Sequence, residues 1–288
     1  MVSRQTICAI ITTLDEEREI ADCIRSLEWC DDLLVVDSFS TDDTVRIVGS
    51  FPKARLFQRT YYGSAAQKNW AMDQCACDWI LIFDADERCT ARLRGEIETL
   101  LHEGPRYDSY RIRRRLFFLD HHIRFCGWHR DLVVRLVRRG TARYPNRRVH
   151  ADMVTQGKTA TLKNSLNHHM VRDLNEYVFR VCKYGVWGAA QCWKEQRRSG
   201  LKEVMLRPLW RFVRSYFIQL GLLDGLHGFM FCCFQAFGTF VKWGVLWGWG
   251  MTGEPSLPEF DENEETWKSL EQVDGTANST SMASSPES

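Results

Sequence analysis

Two aspartates separated by a single residue follow an apolar run in the first third of the chain. Trp79–Phe83 has the composition of a buried strand, and Asp84 and Asp86 come directly after it. Carboxylates at positions i and i+2 beyond a strand can jointly hold a divalent cation that keeps open positions for phosphate oxygens. The same pattern also occurs as a polar strand-to-helix turn, so both interpretations stay open. Glu87, the next residue, could support these carboxylates or begin the following helix.

Three further polar side chains are placed where a nucleotide could bind. Asp37 ends a second apolar run, where an acidic side chain can accept hydrogen bonds from a base or ribose, or form a turn. Lys68 and Asn69 fall in the first turns of a predicted helix. Lys68 could balance phosphate charge, and Asn69 could hydrogen-bond a base or a loop. A solvated helix face is the simpler explanation of these two residues taken alone.

An alternation of strands and helices must position these side chains. Short, nearly continuous apolar runs separated by helical segments indicate a parallel α/β sheet that is covered on both faces. Such sheets bind ligands at the carboxyl ends of their strands. The glycine patterns of dinucleotide-binding and P-loop proteins are absent from the sequence, which disfavours both classes. The predicted strands are Ile7–Leu14, Leu33–Val36, Ala54–Phe57 and Trp79–Phe83.

The overall charge conceals two opposed blocks. Of the 288 residues, 44% are hydrophobic and 26% are charged, and the formal net charge is +1. This composition is typical of a soluble globular protein and excludes wholesale disorder and a polytopic membrane protein. Arg106–Arg148 contains thirteen arginines and three aspartates, whereas the segment from Glu254 onward contains nine acidic residues and one lysine. The folded part is therefore basic, and the tail is acidic.

The arginine block can be interpreted in more than one way. Its arginines could bind nucleic-acid phosphates, with aromatic residues such as Phe117 and Trp128 as stacking surfaces. They could equally form a solvated basic face. The arginines alternate with apolar residues as in a strand, and the sequence has no recognisable nucleic-acid-binding motif. We therefore expect no nucleic-acid partner.

The C-terminal third is predicted to be helical and to associate with a membrane. Leu206–Phe217 mixes aromatic residues with three arginines, as in a helix lying in the membrane interface. Gly225–Val241 is a run of seventeen residues without Asp, Glu, Lys or Arg, just short of a confident spanning helix. A core or interfacial hairpin is favoured over a span. The Ser-, Glu- and Pro-rich residues 253–288 are predicted to be disordered.

These patterns divide the chain into three parts. Residues 1–172 form a predicted catalytic domain, with a nucleotide half at about 1–105 and an acceptor half at about 106–172. Residues 173–252 form the helical region, and 253–288 form the tail. Eleven scattered cysteines without a Cys-x-x-Cys pair indicate buried, reduced thiols. The N-terminus lacks the apolar region of a signal peptide, so a cytoplasmic location is expected.

Four segments resemble, in order and spacing, the motifs of inverting family 2 glycosyltransferases. They are Thr13–Glu17, Val36–Asp42, Ala65–Asn69 and Asp84–Arg88. The resemblance covers roughly residues 5–250 and is closest to the lipopolysaccharide core β-1,4-glucosyltransferase subgroup. Later segments that fit this subgroup are Arg113–Arg115, Gly127–Asp131, Arg135–Arg139, Val149–His150 and Gly221–Gly225.

The resemblance implies an A-type glycosyltransferase fold, with a Rossmann-like, mostly parallel central sheet and a C-terminal helical membrane-associating region. It implies inverting, Mg²⁺- or Mn²⁺-dependent transfer of a hexose, with glucose expected, from a nucleotide-diphosphate sugar. A UDP-sugar is the expected donor. The expected acceptor is an anionic cell-envelope saccharide or glycolipid such as the lipopolysaccharide core. An enzyme of this kind would lie peripherally on the inner face of the cell membrane, in contact with its surface.

The resemblance also assigns roles to particular positions. Asp86 would be the principal metal ligand, assisted by Asp84. The residues implied for the nucleotide-sugar are Thr12, Leu14, Asp37, Lys68, Asn69 and Asp84, and those for the acceptor are Arg113, Arg115, Trp128 and Arg135.

The catalytic base is the point at which this chain departs from the family pattern. An inverting transfer needs one carboxylate to deprotonate the acceptor hydroxyl. Related sequences have Val-His-Glu where this chain has Val149-His-Ala151, so the expected glutamate is missing. Asp152, after a shift of one residue, and Asp131 are two equal candidates. His150 is a candidate orienting group.

Two other function classes were weighed against the transferase. A nucleotidyltransferase would share the fold and the metal-binding carboxylates, but it usually carries a glycine-rich phosphate loop where this chain has Thr12–Glu16. A non-enzymatic basic adaptor for membranes or nucleic acids would leave the ordered set of motifs unexplained.

Overall fold

A central sheet of nine strands organises the part of the chain that this computed structural model describes, namely residues 5–128, 131–145, 153–253 and 255. The strands are β1 (Ile7–Thr13), β2 (Asp32–Asp37), β3 (Ala54–Gln58), β4 (Trp79–Asp84), β5 (Glu87–Arg88), β6 (Ser109–Phe118), β7 (His121–Ile123), β8 (Leu132–Arg138) and β11 (Thr159–Val171), with β9 (Ala142–Arg143) and β10 (Val154–Thr155) forming a separate pair. The helices are α1 (Ile20–Leu27), α2 (Thr44–Gly49), α3 (Ser64–Asp73), α4 (Ala91–Glu103), α5 (Leu174–Lys194), α6 (Leu201–Val213) and α7 (Gly225–Thr252).

The sheet has a parallel half and a mixed half. Its order is β3-β2-β1-β4-β8-β6-β11-β5, and β7 pairs with β6. The strands β3, β2, β1 and β4 run parallel, and β8 joins β4 and β6 in antiparallel orientation. Thr13 pairs with Asp37, and Thr12 pairs with Asp84. The register therefore brings the two predicted acidic positions to one edge of the parallel half.

Buried apolar residues on both faces explain why the first half folds as predicted. All four predicted strands are present, and Ile10, Leu34 and Phe83 are fully buried within them. Helix α1 buries Ile20, Cys23, Ile24 and Leu27 at helical spacing. Burial of such side chains contributes about 1.5–3 kcal/mol each, which is the main stabilising term for this layer.

The C-terminal helices form a layer that packs on the mixed half of the sheet. Phe118 of β6 contacts Phe231 of α7 edge-on, with ring centroids 5.5 Å apart. Helices α5 and α7 approach closely, because a Cβ at Gly185 would lie 2.7 Å from a methyl group of Val241. Helix α6 continues into a π-helical turn, Arg214–Ile218, and then into a 3-10 turn, Gly221–Asp224.

One stretch of the described residues, 221–252, is long and apolar enough to cross a membrane, judged by length and composition alone. The most apolar 18-residue window of this stretch has a mean hydropathy of 1.4, and 22% of that window is buried inside the protein. All eleven cysteines are free, and eight of them are buried, as predicted. The division into domains stays a prediction, and the predicted tail lies outside the described residues except for Gly253 and Pro255.

Candidate active site

Asp84 lies at the centre of a charged cluster at the carboxyl edge of the sheet. Its Oδ1 lies 2.6 Å from the Lys68 Nζ and accepts a 3.2 Å hydrogen bond from the Thr12 hydroxyl. Its Oδ2 accepts a 2.6 Å hydrogen bond from Arg135. Burial by itself would raise the pKa of Asp84, but Arg135 and Lys68 hold it well below its usual range. Asp84 is therefore ionised, and each of its oxygens already receives a cationic donor.

Arg135 is the second member of this cluster. The side chain is buried, with 3% of the residue exposed, and one nitrogen donates at 2.6 Å to both Asp84 and Glu87. Burial would lower the pKa of Arg135, but the two carboxylates raise it well above its ordinary value. Its guanidinium is enclosed by acidic partners in this arrangement, and acceptor binding by Arg135 stays a prediction.

Glu87 and Arg114 extend the cluster toward Asp131. Glu87 is fully buried, and its Oε1 lies 3.6 Å from a terminal guanidinium nitrogen of Arg114. The Nε of Arg114 donates to Asp131 at 2.7 Å, and the backbone of Arg114 also bonds that of Asp131. A continuous series of ion pairs thus connects Asp84 with Asp131. Sequence reasoning did not single out Arg114, although it shares the strand face of the buried Ile112.

The predicted acceptor residues Arg113 and Arg115 have a different environment from Arg114. Successive side chains of a strand point to opposite faces, and both residues are exposed whereas Arg114 is partly buried. Arg115 lies 3.5 Å from the His122 imidazole. Trp128 is half-buried against Phe231 of α7, with ring centroids 6.1 Å apart. Acceptor binding by Arg113, Arg115 and Trp128 stays a prediction.

Asp86 pairs with a histidine that the sequence did not reveal. Its Oδ2 lies 3.2 Å from Nε2 of His168 on β11, and its carbonyl accepts a 2.8 Å hydrogen bond from the His169 backbone. Burial alone would raise the pKa of Asp86, but His168 lowers it. Burial alone would lower the pKa of His168, but Asp86 raises it.

The Asp86–His168 pair has the donor types that a divalent metal requires. Among the described residues, no three His, Cys, Asp or Glu side chains are grouped as a complete metal site. A carboxylate oxygen and an imidazole nitrogen nevertheless converge here, and substrate oxygens could supply further ligands. A metal would take the place of the proton that Nε2 of His168 shares with Asp86, and the buried Nδ1 has no hydrogen-bond partner within the described ranges. Asp84 fits a metal less well than predicted, because Lys68 and Arg135 already neutralise it.

Asp37 and Asn69 hold loops in the arrangement observed here. The Asp37 carboxylate is fully buried and accepts from the Ser40 hydroxyl and, at 3.0 Å, from the Ser40 backbone. Asn69 exchanges two hydrogen bonds of 2.8 and 2.9 Å with the backbone of Tyr144. This confirms the loop-binding alternative for Asn69. Their nucleotide contacts, and those of the exposed Leu14, stay predictions.

Two of the predicted catalytic residues cannot be placed. His150 and Asp152 lie outside the described residues, in the gap 146–152. Tyr144, which Asn69 holds, lies at the start of this gap, and the Lys68 Nζ lies 5.7 Å from the Tyr144 ring centre.

A cavity of about 400 Å³ adjoins Asp86. Its walls come from the loop after β1, from the end of β11 and from α5. Burial, reinforced by the Asp86 carboxylate, raises the pKa of Glu16 in this wall to about 8. The lining residues are Asp15, Glu16, Glu17, Arg18, Glu19, Asp42, Asp86, His169, Met170, Arg172, Glu176 and Arg180.

The mostly parallel sheet with acidic residues at its carboxyl edge, followed by a C-terminal helical layer, is the fold expected for an A-type glycosyltransferase. A family model described as glycosyl transferase family 2 matches residues 8–116. The lipopolysaccharide core biosynthesis glycosyltransferase LpsC of Rhizobium meliloti is 30% identical over 236 residues, which cover 80% of this chain and 87% of that protein. This chain belongs to glycosyltransferase family 2 and is an enzyme of that class.

Two further similarities accompany these matches. An uncharacterized glycosyltransferase of Rickettsia typhi is 27% identical over 252 residues, covering 83% of this chain and 86% of that protein. The crystal structure of residues 1–349 of TarS from S. aureus aligns with 86% of this chain and 92% of that one, at a TM-score of 0.45 and 14% identity. The family resemblance inferred from the motifs is confirmed by the family model and by the relative in Rhizobium meliloti.

Proposed function

We propose that this enzyme transfers a hexose, with glucose as the first candidate, from UDP-sugar to an anionic saccharide or glycolipid of the cell envelope. The reaction inverts the anomeric centre and depends on Mg²⁺ or Mn²⁺. The observation that carries this proposal is the cluster of Asp84, Lys68 and Arg135 beside the Asp86–His168 pair. The lipopolysaccharide core is the acceptor we favour, because the relative in Rhizobium meliloti is named for the synthesis of that core.

Within the donor site, the residues have separate tasks. Asp86 and His168 would hold the metal, which when bound neutralises the diphosphate leaving group as a Lewis acid. Asp84 keeps Lys68 and Arg135 in place at the sheet edge and can accept hydrogen bonds from ribose or sugar hydroxyls. Lys68 adds positive charge close to the phosphates. Asp37 and Asn69 shape the loops that surround the nucleotide.

We assign the catalytic base to Asp131, with Asp152 as the competing candidate. Arg114 fixes one oxygen of Asp131 at 2.7 Å and keeps the carboxylate oriented. The same arginine contacts Glu87 and so joins Asp131 to the donor cluster. A base held in this way can remove the proton of an acceptor hydroxyl as the new glycosidic bond forms. His150 would orient the acceptor or the base.

The acceptor half and the helical layer would face a membrane. Arg113 and Arg115 offer planar, bidentate donors suited to phosphate groups on an acceptor. Every residue of α6 is at least partly exposed, including the apolar Leu209 and Trp210, which are 59% and 58% exposed. Exposed apolar surface of this extent marks a binding face. The enzyme would therefore work in the cytoplasm, peripherally on the inner face of the cell membrane.

The charge of this helical layer suits an anionic membrane surface. Asp224 is the only acidic residue between positions 204 and 253. Its buried carboxylate accepts backbone hydrogen bonds from Arg124 and Phe125 at 3.1 and 2.9 Å, so it points inward. The basic residues in the same segment are Arg207, Arg211, Arg214 and Lys242.

A thermal-shift screen of sugar nucleotides with and without Mn²⁺ tests the proposed function. A donor that binds the native state raises the melting temperature, and we expect UDP-glucose to do so only with metal. The Asp86→Ala variant should fold but lose this shift and the release of UDP, while the surface variant Asp73→Ala should keep both. Release of pyrophosphate from a nucleoside triphosphate would instead support a nucleotidyltransferase. Absence of any nucleotide binding would favour the adaptor.

A further inference from the structure

Helix α5, which belongs to the helical layer, also forms a wall of the cavity beside Asp86. Arg180 lines that cavity together with Asp86 and Glu16. Tyr184 follows one helical turn later on the same face. Desolvation and the carboxylates of Asp86 and Asp84 raise the pKa of Tyr184, whereas Arg180 opposes this shift. The α5 face thus extends from the cavity toward the charged cluster.

Arg180 is held in place by a neutral hydrogen-bond acceptor, while its charge acts on Glu16 and Asp86 without a close ion pair to either. Its terminal nitrogen donates a 2.9 Å hydrogen bond to the carbonyl oxygen of Met170 at the end of β11. A guanidinium has five N–H donors in a fixed plane, so a single neutral acceptor leaves most of them available. The opposite face of α5 packs on α7, where Gly185 meets Val241. The position of Arg180 is therefore set by the packing of a rigid helix.

The other two arginines of the cavity are already engaged with carboxylates. Arg18 lies 3.1 Å from Glu176, and Arg172 forms an ion pair with the buried Glu19. The remaining wall is strongly acidic, since Asp15, Glu16, Glu17, Asp42 and Asp86 all line it. Three arginines line the cavity. Among the described residues, Arg180 is the one of these three that has no carboxylate within ion-pair distance. An anion entering this cavity would find its positive partner there.

We propose that Arg180 binds a phosphoryl group in the cavity next to Asp86. This inference rests on the proposed function, because a nucleotide-sugar transferase handles phosphate in its donor and can also meet it in an anionic acceptor. The donor diphosphate is one source of such a group, and a phosphate on the acceptor is the other. In either case a residue of the helical layer completes the site that the nucleotide half begins.

Calorimetric titration of the full-length protein with UDP, uridine and inorganic phosphate tests this proposal. Charge-assisted hydrogen bonds are strong, so Arg180→Ala should weaken UDP binding in the presence of Mn²⁺ by about 10- to 100-fold. Uridine, which has no phosphate, should bind the variant and the wild type equally. Arg180→Lys should recover part of the loss, because it restores the charge without the planar fork. Arg94→Ala is the control, because Arg94 lies on α4 outside the cavity, where it pairs with Glu98 on the exposed surface, and this variant should bind UDP like the wild type.

The remaining outcomes are distinguishable. Unchanged UDP binding, together with loss of inorganic phosphate binding to the UDP-loaded Arg180→Ala protein, would assign the residue to the acceptor phosphate. Wild-type binding of both UDP and phosphate by a folded Arg180→Ala variant would overturn the proposal while leaving the proposed function intact. Failure of the wild type to bind UDP at all would instead overturn the proposed function. Melting curves of the ligand-free proteins establish that each variant is folded.

Discussion

His168 Nε2 lies 3.2 Å from Asp86 Oδ2, although 82 residues separate the two in the chain. The contact forms because the short strand β5 pairs antiparallel with β11, which places His168 opposite Glu87. The backbone of His169 also bonds the carbonyl of Asp86. The mixed half of the sheet therefore fixes the turn that follows β4. The proposed donor site would therefore be built by both halves of the sheet.

Replacement of Arg135 should destabilise the fold. Arg135→Ala would leave Asp84 and the fully buried Glu87 without their shared cation, and removal of one partner from a buried ion pair costs about 3–5 kcal/mol. Urea denaturation should show this loss in the free energy of unfolding. Arg138→Ala on the same strand is the control, because its pair with Asp108 is exposed and should cost less than about 1 kcal/mol. Equal effects of the two substitutions would contradict the buried network.

Substitution of the proposed base should reduce turnover without affecting donor binding. Asp131→Asn keeps the shape of the side chain but cannot accept a proton, and loss of a general base slows reactions by about 100-fold or more. The measurement is UDP release with acceptor present, alongside UDP binding by calorimetry. Asp152→Asn provides the comparison. A large loss of turnover in Asp152→Asn, with normal turnover in Asp131→Asn, would reassign the base to Asp152.

The turn between α6 and α7, together with the first residues of α7, should control membrane binding. Leu222, Leu223 and Leu226 are 42%, 58% and 72% exposed, and each apolar side chain that enters lipid contributes favourably in proportion to its buried area. The triple replacement by serine should weaken binding at least about 10-fold to vesicles of phosphatidylglycerol and phosphatidylcholine. Binding is measured by co-flotation of the protein with the vesicles. Val154→Ser, at an exposed position on β10, is the control and should bind them like the wild type. Undiminished binding by the triple variant would place the membrane contact elsewhere.

The Asp32–Arg55 pair should make the stability of the fold depend on pH. Burial would raise the pKa of Asp32, but hydrogen bonds from Arg55 lower it below 3.8. A carboxyl with a depressed pKa stabilises the fold above its unfolded-state pKa, and the contribution is lost as the pH falls through the folded-state value. At pH 7 the free energy of unfolding of the wild type should therefore exceed that of Asp32→Asn. The difference should be at most about 1 kcal/mol, because the pair is partly exposed. Urea denaturation between neutral pH and about pH 3 should show this difference shrinking, and a difference that grows would refute it.

The parallel half of the sheet is predictable from local sequence patterns. Continuous apolar runs such as Trp79–Phe83 are local signals, and they specify buried strands regardless of distant contacts. Acidic residues at the ends of these runs then had to meet at the carboxyl edge, as Asp84 and Asp37 do. The alternation of side chains along β6 also predicts that Arg114 lies on the same face as the buried Ile112 and Leu116. Arg113 and Arg115 lie on the opposite face.

The pairing of charged side chains depends on how distant segments of the chain pack together. Arg135, for which acceptor binding is predicted, lies buried between Asp84 and Glu87, and no local pattern in the sequence marks His168 or Arg180. Their positions depend on the register between distant strands, on a shift of that register between Tyr110 and Arg111, and on the packing of α5. Ion pairing depends on distances between side chains that lie far apart in the chain. Local composition fixes which residues are buried, whereas strand register and helix packing fix which of them meet.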